Sequence, residues 1–204
     1  MSFERPALRQ RGVTLVELIL FIVIVGIALA GILAVMNVTS RASVDPMRRK
    51  QALIIAEGLL EEVELARFSY CDPSDPDAGD ADTVKSAADC KTAPEKWGQL
   101  APEPTGANDG RPFDNVNDYV AAPGVPTAAF DTAGGVLADA NGNPLGVSGY
   151  TARLAIRPAS LNGIGSDTDT AADTEVLRIT VTVSYDGGDV SLDGYRTRYA
   201  PNHL

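Results

Sequence analysis

Arg9-Gln10-Arg11-Gly12-Val13-Thr14-Leu15-Val16-Glu17 opens directly into LILFIVIVGIALAGILAVM, residues 18–36, a run of 19 positions without a charge. As a helix rising ~1.5 Å per residue, that run covers about 28 Å, roughly one hydrocarbon core. Secretory h-regions are shorter, ~7–15 residues, and end in a small-residue cleavage site. Asn37-Val38-Thr39-Ser40-Arg41 is not such a site. The run therefore reads as a membrane span. Gly26 and Gly31 give it small-residue surface where another helix can approach, although their spacing is not GxxxG.

Away from this span the chain changes character. It has 204 residues, with 17 Lys+Arg against 27 Asp+Glu and a formal net charge of −10. From Cys71 onward there are 9 basic and 20 acidic residues. One span thus carries an acidic, water-exposed domain. Nucleic-acid binding needs a basic stripe, so no nucleic-acid partner is expected. The single histidine is His203, which removes a histidine base or a multi-imidazole metal site from consideration. GxSxG, P-loop, HExxH and dinucleotide patterns are missing, and Asp114/Asp118 and Asp167/Asp169 lack a general-acid partner at useful spacing. The expectation is a protein without catalysis, cofactor or bound metal.

Glu17 is the odd residue of the opening stretch, an acid at the mouth of a bilayer-length helix. A carboxylate there costs on the order of 2–3 kcal/mol toward the helix centre and less near the interface. It can sit at headgroup level, where the helix dipole favours negative charge. Alternatively it needs a cationic partner within the membrane, and cleavage after Gly12 creates one as a new α-amine on Val13. Charge counting leaves the orientation open. Arg5, Arg9 and Arg11, offset by Glu4, lie on one side, and Arg41, Arg48, Arg49 and Lys50 on the other. Cys71 and Cys90 are the only cysteines and show no zinc spacing. They read as a disulfide formed in an oxidising compartment. Closing that loop contributes about 3 kcal/mol on the chain-entropy estimate.

The N-terminal stretch resembles the type IV pilin family. That signature is a short basic leader ending in Gly, a residue that is usually Phe, then Thr-Leu-x-Glu opening a long apolar helix. Gly12, Thr14, Leu15 and Glu17 match it, and Val13 departs from it. The resemblance implies that the prepilin peptidase cuts the Gly12–Val13 bond on the cytoplasmic side and methylates the Val13 amine. It also implies that Thr14 and Glu17 serve subunit assembly, Glu17 neutralising a neighbouring subunit's N-terminus. The implied partners are the peptidase, other major and minor pilins, the inner-membrane assembly platform and the lipid bilayer. The implied location is a single-pass inner-membrane protein with its C-terminal domain in the periplasm, passing later into a surface pilus. Minor pseudopilins of type II secretion systems share this N-terminal signature and form the alternative. Pairing between subunits has a physical basis, since an uncompensated buried carboxylate is costly and one paired with an ammonium much less so.

Beyond the span the helix continues. Pro46 removes one backbone hydrogen bond and Asp45 is a good N-cap, so a kink or restart is expected there. Ala52, Ile55, Ala56, Leu59, Val63 and Ala66 share one helical face suited to docking, with Glu57, Glu61 and Glu64 on another. Residues from Cys71 to about Phe113 read as loop. Asp72, Asp75, Asp77, Asp80 and Asp82 lack EF-hand spacing and read as a solvated acidic segment, with Trp97 anchoring the loop to the domain. Residues 151–157, 177–185 and 190–199 alternate apolar and polar around a turn at 186–189. In the last run Leu192, Tyr195, Thr197 and Tyr199 are taken as the apolar set. Asn141-Gly142 and Asn162-Gly163 mark further turns.

The expected fold is α+β, a long N-terminal transmembrane helix with a small antiparallel sheet packed on its distal half. The expected divisions are a leader at 1–12, a membrane and filament-core helix at 13–36, and a periplasmic amphipathic helix at 37–70. A disulfide-containing loop at 71–112 and a sheet domain at 113–204 follow. LEEVELARFSYCDP (60–73), FDNVNDY (113–119) and DGYRTRYAP (193–201) are similar to a narrower group, the MSHA (mannose-sensitive haemagglutinin) pilus-biogenesis minor pilins and PilV-type pilus modification proteins. FDNVNDY reads equally as a partner surface or as a turn packed on the sheet. The early position of Cys71 and Cys90 favours a minor, biogenesis-type subunit over a bulk filament subunit.

Overall fold

Helix α1 spans Leu15–Leu65 without interruption, Pro46 included, so the expected restart at Pro46 does not occur. The computed structural model describes residues 12–80, 82–100 and 111–198, with residues 37–45 described by backbone alone. The basic leader residues Arg5, Arg9 and Arg11, and Tyr199, lie outside the described residues. The chain divides into two compact units, Met1–Pro46 and Met47–Leu204. In the first, the side chains from Leu15 to Met36 are exposed, Val25 apart.

The second unit is the folded domain. Its core sheet has the order β1 (Tyr150–Pro158), β4 (Val176–Tyr185), β5 (Gly188–Thr197), antiparallel throughout. Two-residue strands β2 (Ser160–Leu161) and β3 (Ile164–Gly165) make a separate hairpin. Its turn has Asn162 at φ 51° and Gly163 at φ 84°, the left-handed pair that a two-residue hairpin favours. In the core sheet, Ala152 faces Val183, Leu154 faces Val181 and Ile156 faces Ile179 across β1 and β4. Period-2 alternation puts all six on one buried face.

Helix residues Ala52, Ala56, Leu59, Val63 and Ala66 are buried in the same core as this sheet face, as their spacing predicts. Small side chains on the helix allow a close approach. At Gly194 of β5 an added Cβ would collide with Glu64 Oε1 and lie 3.0 Å from Leu60 Cδ1. Gly194 therefore occupies the inward face between Leu192 and Arg196, which corrects the expected register of β5. Tyr195 points outward and is 44% exposed, and Thr197 shares its face. Mixing Leu192 with Tyr195 and Thr197 crossed the two faces, because a glycine at the point of contact carries no hydrophobic signal.

The free edge of β1 is partly covered. Thr127 exchanges both backbone hydrogen bonds with Leu154, and Gly124 N donates to Ile156 O. Phe130, Leu137 and Ala138 of that connection enter the core. FDNVNDY is a packed turn. Asn115 and Asp118 close a capping box around a 3-10 turn, Val116–Tyr119, and Val116 and Tyr119 are buried in the core with Phe113 against them.

Candidate functional site

Thr14 sets the start of α1. Its hydroxyl accepts a hydrogen bond from Glu17 N at 3.3 Å, and Leu18 N donates to Thr14 O at 3.1 Å. Thr14-x-x-Glu17 is the capping-box spacing, and an acid in the first turn also suits the helix dipole. Gly12 and Val13 precede the helix as non-helical, exposed backbone. Nothing lies within 4 Å of where a Cβ on Gly12 would stand, so packing in this chain does not demand glycine there. The stretch Gly12–Glu17 is thus an exposed, non-helical lead-in and the first turn of a capped helix that carries an exposed carboxylate.

Leu15–Met36 is the one described segment long and apolar enough to cross a membrane, and none of it is buried. Exposing so many aliphatic side chains to water is highly unfavourable at roughly 25 cal/mol per Å². The segment's solvent is therefore lipid or other apolar helices. Gly26 and Gly31 have no neighbour within 4 Å of an added Cβ, which leaves both open to a close-packing partner.

Cys71 and Cys90 are disulfide-bonded, with Cα atoms 5.5 Å apart. They do not join the Gly12–Glu17 segment but belong to the folded domain. Around them the acidic loop is more ordered than a solvated segment. Asp75 is buried and accepts from Thr92 N, Ala93 N, Asp77 N and Thr92 Oγ1. Burial alone raises its pKa, but these donors outweigh burial and hold the carboxyl well below the usual range. Asp72 is buried too, accepting from Ser74 N. Asp77, Asp80 and Asp82 remain at or near the surface. Trp97 anchors the loop, donating from Nε1 to Thr170 O at 2.8 Å. Among the described residues no group of acids, cysteines or histidines has the geometry to hold a metal ion.

Two buried cations escaped the sequence reading. Arg111 grips Glu62 with two short hydrogen bonds, 2.6 Å from Nε and 2.7 Å from Nη2, and donates to Phe130 O and Ala138 O. Tyr119 OH completes the set by donating to Glu62 Oε1 at 3.1 Å. Burial first, and the Glu62 carboxylate second, push the Tyr119 phenol up. Arg198 lies over both Phe68 and Tyr70, 3.9 and 4.3 Å from the ring centroids, and donates to Thr174 O and Ala172 O. Burial pulls its guanidinium down to about 10, while Tyr70, Glu95 and Glu175 oppose that shift.

These contacts join residues 60–73 to 113–119 and to 193–201. Glu62, Phe68 and Tyr70 come from 60–73, Tyr119 from 113–119 and Arg198 from 193–201. No sequence signal marks the two cations, since Arg111 lies outside these segments and a lone Arg does not announce its partners.

Comparison with family models matches residues 8–33 to the prokaryotic N-terminal methylation motif. That match covers the candidate segment and most of the span, and it supports a type IV pilin-like protein. The motif implies processing by the prepilin peptidase and assembly with other pilins, a structural role rather than an enzymatic one. Neither the curated proteins nor the solved structures yield a match to the chain.

Proposed function

We propose that this chain is a minor type IV pilin of the biogenesis or pilus-modification kind. It is made as a prepilin, cut between Gly12 and Val13, methylated on the Val13 amine and inserted through α1 into a pilus. The observation that carries this reading is the methylation motif over residues 8–33, on a chain whose Gly12–Val13 backbone is exposed and precedes a capped, unburied apolar helix. In the membrane the precursor keeps its leader in the cytoplasm and its folded domain in the periplasm, a compartment suited to the Cys71–Cys90 bond. On entering the filament, Glu17 exchanges headgroups for a neighbouring subunit's N-terminal ammonium. Without that partner, burial of its carboxylate among apolar helices is opposed by several kcal/mol. Thr14 positions Glu17 by holding the first turn. The domain's early disulfide and the resemblance of residues 60–73, 113–119 and 193–201 favour an accessory subunit over a bulk one.

Intact-protein mass spectrometry on envelope and sheared-pilus fractions tests this directly. A mature chain beginning at methylated Val13 is expected in both fractions. Recovery of the native chain beginning at Met1 overturns the proposal. Glu17→Ala is expected to be processed and kept in the membrane but depleted at least tenfold from sheared pili. Wild-type amounts there refute the pairing role.

A further inference from the structure

A second face of α1 in the folded domain is left uncovered by the described residues. Ile54, Gly58, Glu61 and Leu65 follow at alternating spacings of four and three, the spacing of a helix–helix seam. Ile54 is 57% and Leu65 77% exposed, unlike the buried Ala56, Leu59 and Val63 beside them. This stripe forms one wall of an apolar groove of about 950 Å³, and Pro112, Phe113 and Leu145 line it as well.

The charges lining the groove are unbalanced. Glu61, Asp114 and Asp139 contribute three carboxylates without a cationic partner among the described residues, whereas Glu62 is held by Arg111 and the one other lining cation is Arg67. Asn141 N, Asn143 N and Asn143 Nδ2 donate to Asp139 and keep its carboxyl below the usual range. Asp114 Oδ1 is buried and has no hydrogen-bond partner among the described residues. An apolar lining edged with acids is complementary to an apolar stripe edged with cations.

We propose that this groove docks an amphipathic helix, its apolar stripe flanked by Lys or Arg, from a co-assembling subunit. The inference rests on the assembly reading above. A helix fits because its backbone is already hydrogen-bonded, and because Gly58 lets a second helix axis come close to α1. From Ile54 to Leu65 the seam runs about 16 Å, three helical turns. The chain's own residues 101–110, APEPTGANDG, make a poor occupant. They carry two prolines, and Glu103 and Asp109 repeat the sign of the groove acids.

The test places a photo-crosslinking amino acid at Ile54 in the full chain, in its native envelope, and sequences the crosslinked peptide. The expected adduct is a helical segment with Lys or Arg beside its apolar residues, from a protein bearing the same methylation motif. Paired Glu61→Gln and Asp114→Asn substitutions, both outside the buried Glu62–Arg111 pair, should lower the yield about five- to tenfold. Raising salt should lower the wild-type yield in the same direction without any substitution, because exposed charges are screened. An adduct to residues 101–110, to lipid or to an acidic segment overturns the proposal, as does a yield indifferent to both salt and substitution. Resistance of the folded domain to limited proteolysis, equal in variant and wild type, certifies folding. The N-terminal mass, read on the same sample, separates the two ideas. Mature chain without the adduct sinks the groove alone, and a Met1 terminus sinks the pilin reading.

Discussion

The two halves of α1 share one helix and have opposite surroundings. Residues 15–36 present aliphatic side chains on every side and bury none of them. Residues 47–65 confine their buried residues to one stripe, Ala52, Ala56, Leu59 and Val63, against a sheet. Composition accounts for the difference. A helix apolar all round requires an apolar solvent, whereas an amphipathic one needs a single packed partner. Stability of the folded domain should therefore depend on the second half alone, and the function proposed for the chain on the first.

The sharpest break in this contrast is at Glu62. Glu62→Ala strands Arg111 in the core and should cost the domain about 3–5 kcal/mol, read by denaturant unfolding of the full chain. Replacing Glu62 and Arg111 together by apolar residues should recover much of that loss. Next comes a matched pair. Leu59→Ala should destabilise the domain by about 2–5 kcal/mol, and Ile24→Ala should leave its unfolding within about 0.5 kcal/mol. An equal effect of the two would mean that the span contributes to the domain's core. Reduction of Cys71–Cys90 should cost about 3 kcal/mol, visible as a lower denaturant midpoint under reducing conditions.

The smallest effect expected is in acid. The folded pKa of Asp75 lies below its unfolded value of 3.8, so its contribution is fully present above that value. As pH falls below about 4 the unfolded chain binds the extra proton and the contribution is lost. Hydrogen exchange at Thr92 and Ala93 should accelerate relative to the sheet as pH falls through this window. Asp75→Asn should be weaker at neutral pH and flatter in acid.

Legibility from sequence followed periodicity. The docking face of α1 and the strands β1 and β4 were readable because apolar residues recur at 3.6 or at 2. The end of the helix was less so. Ala66–Tyr70 contains no Gly or Pro to end a helix, yet α1 stops at Leu65 and Arg67 bridges to Asn115. Register in β5 is not legible from sequence because its inward position is Gly194, recognisable only from what approaches it. The acidic loop reads as solvated from sequence because Asp75 looks like any other aspartate until Thr92 and Ala93 point their N–H groups at it.

By itself the sequence determined that the chain has a bilayer-length apolar helix with an acid at its mouth, followed by an acidic α+β domain. Local composition is sufficient for that, since hydropathy and residue spacing act along the chain. The tertiary structure alone decided that Arg111 neutralises Glu62, that Arg198 stacks on Phe68 and Tyr70, and that Ile54 and Leu65 face an acid-edged groove. Those outcomes depend on which distant segments meet in a low-dielectric interior, where an unpaired charge is costly and each cation is therefore found beside a specific acceptor.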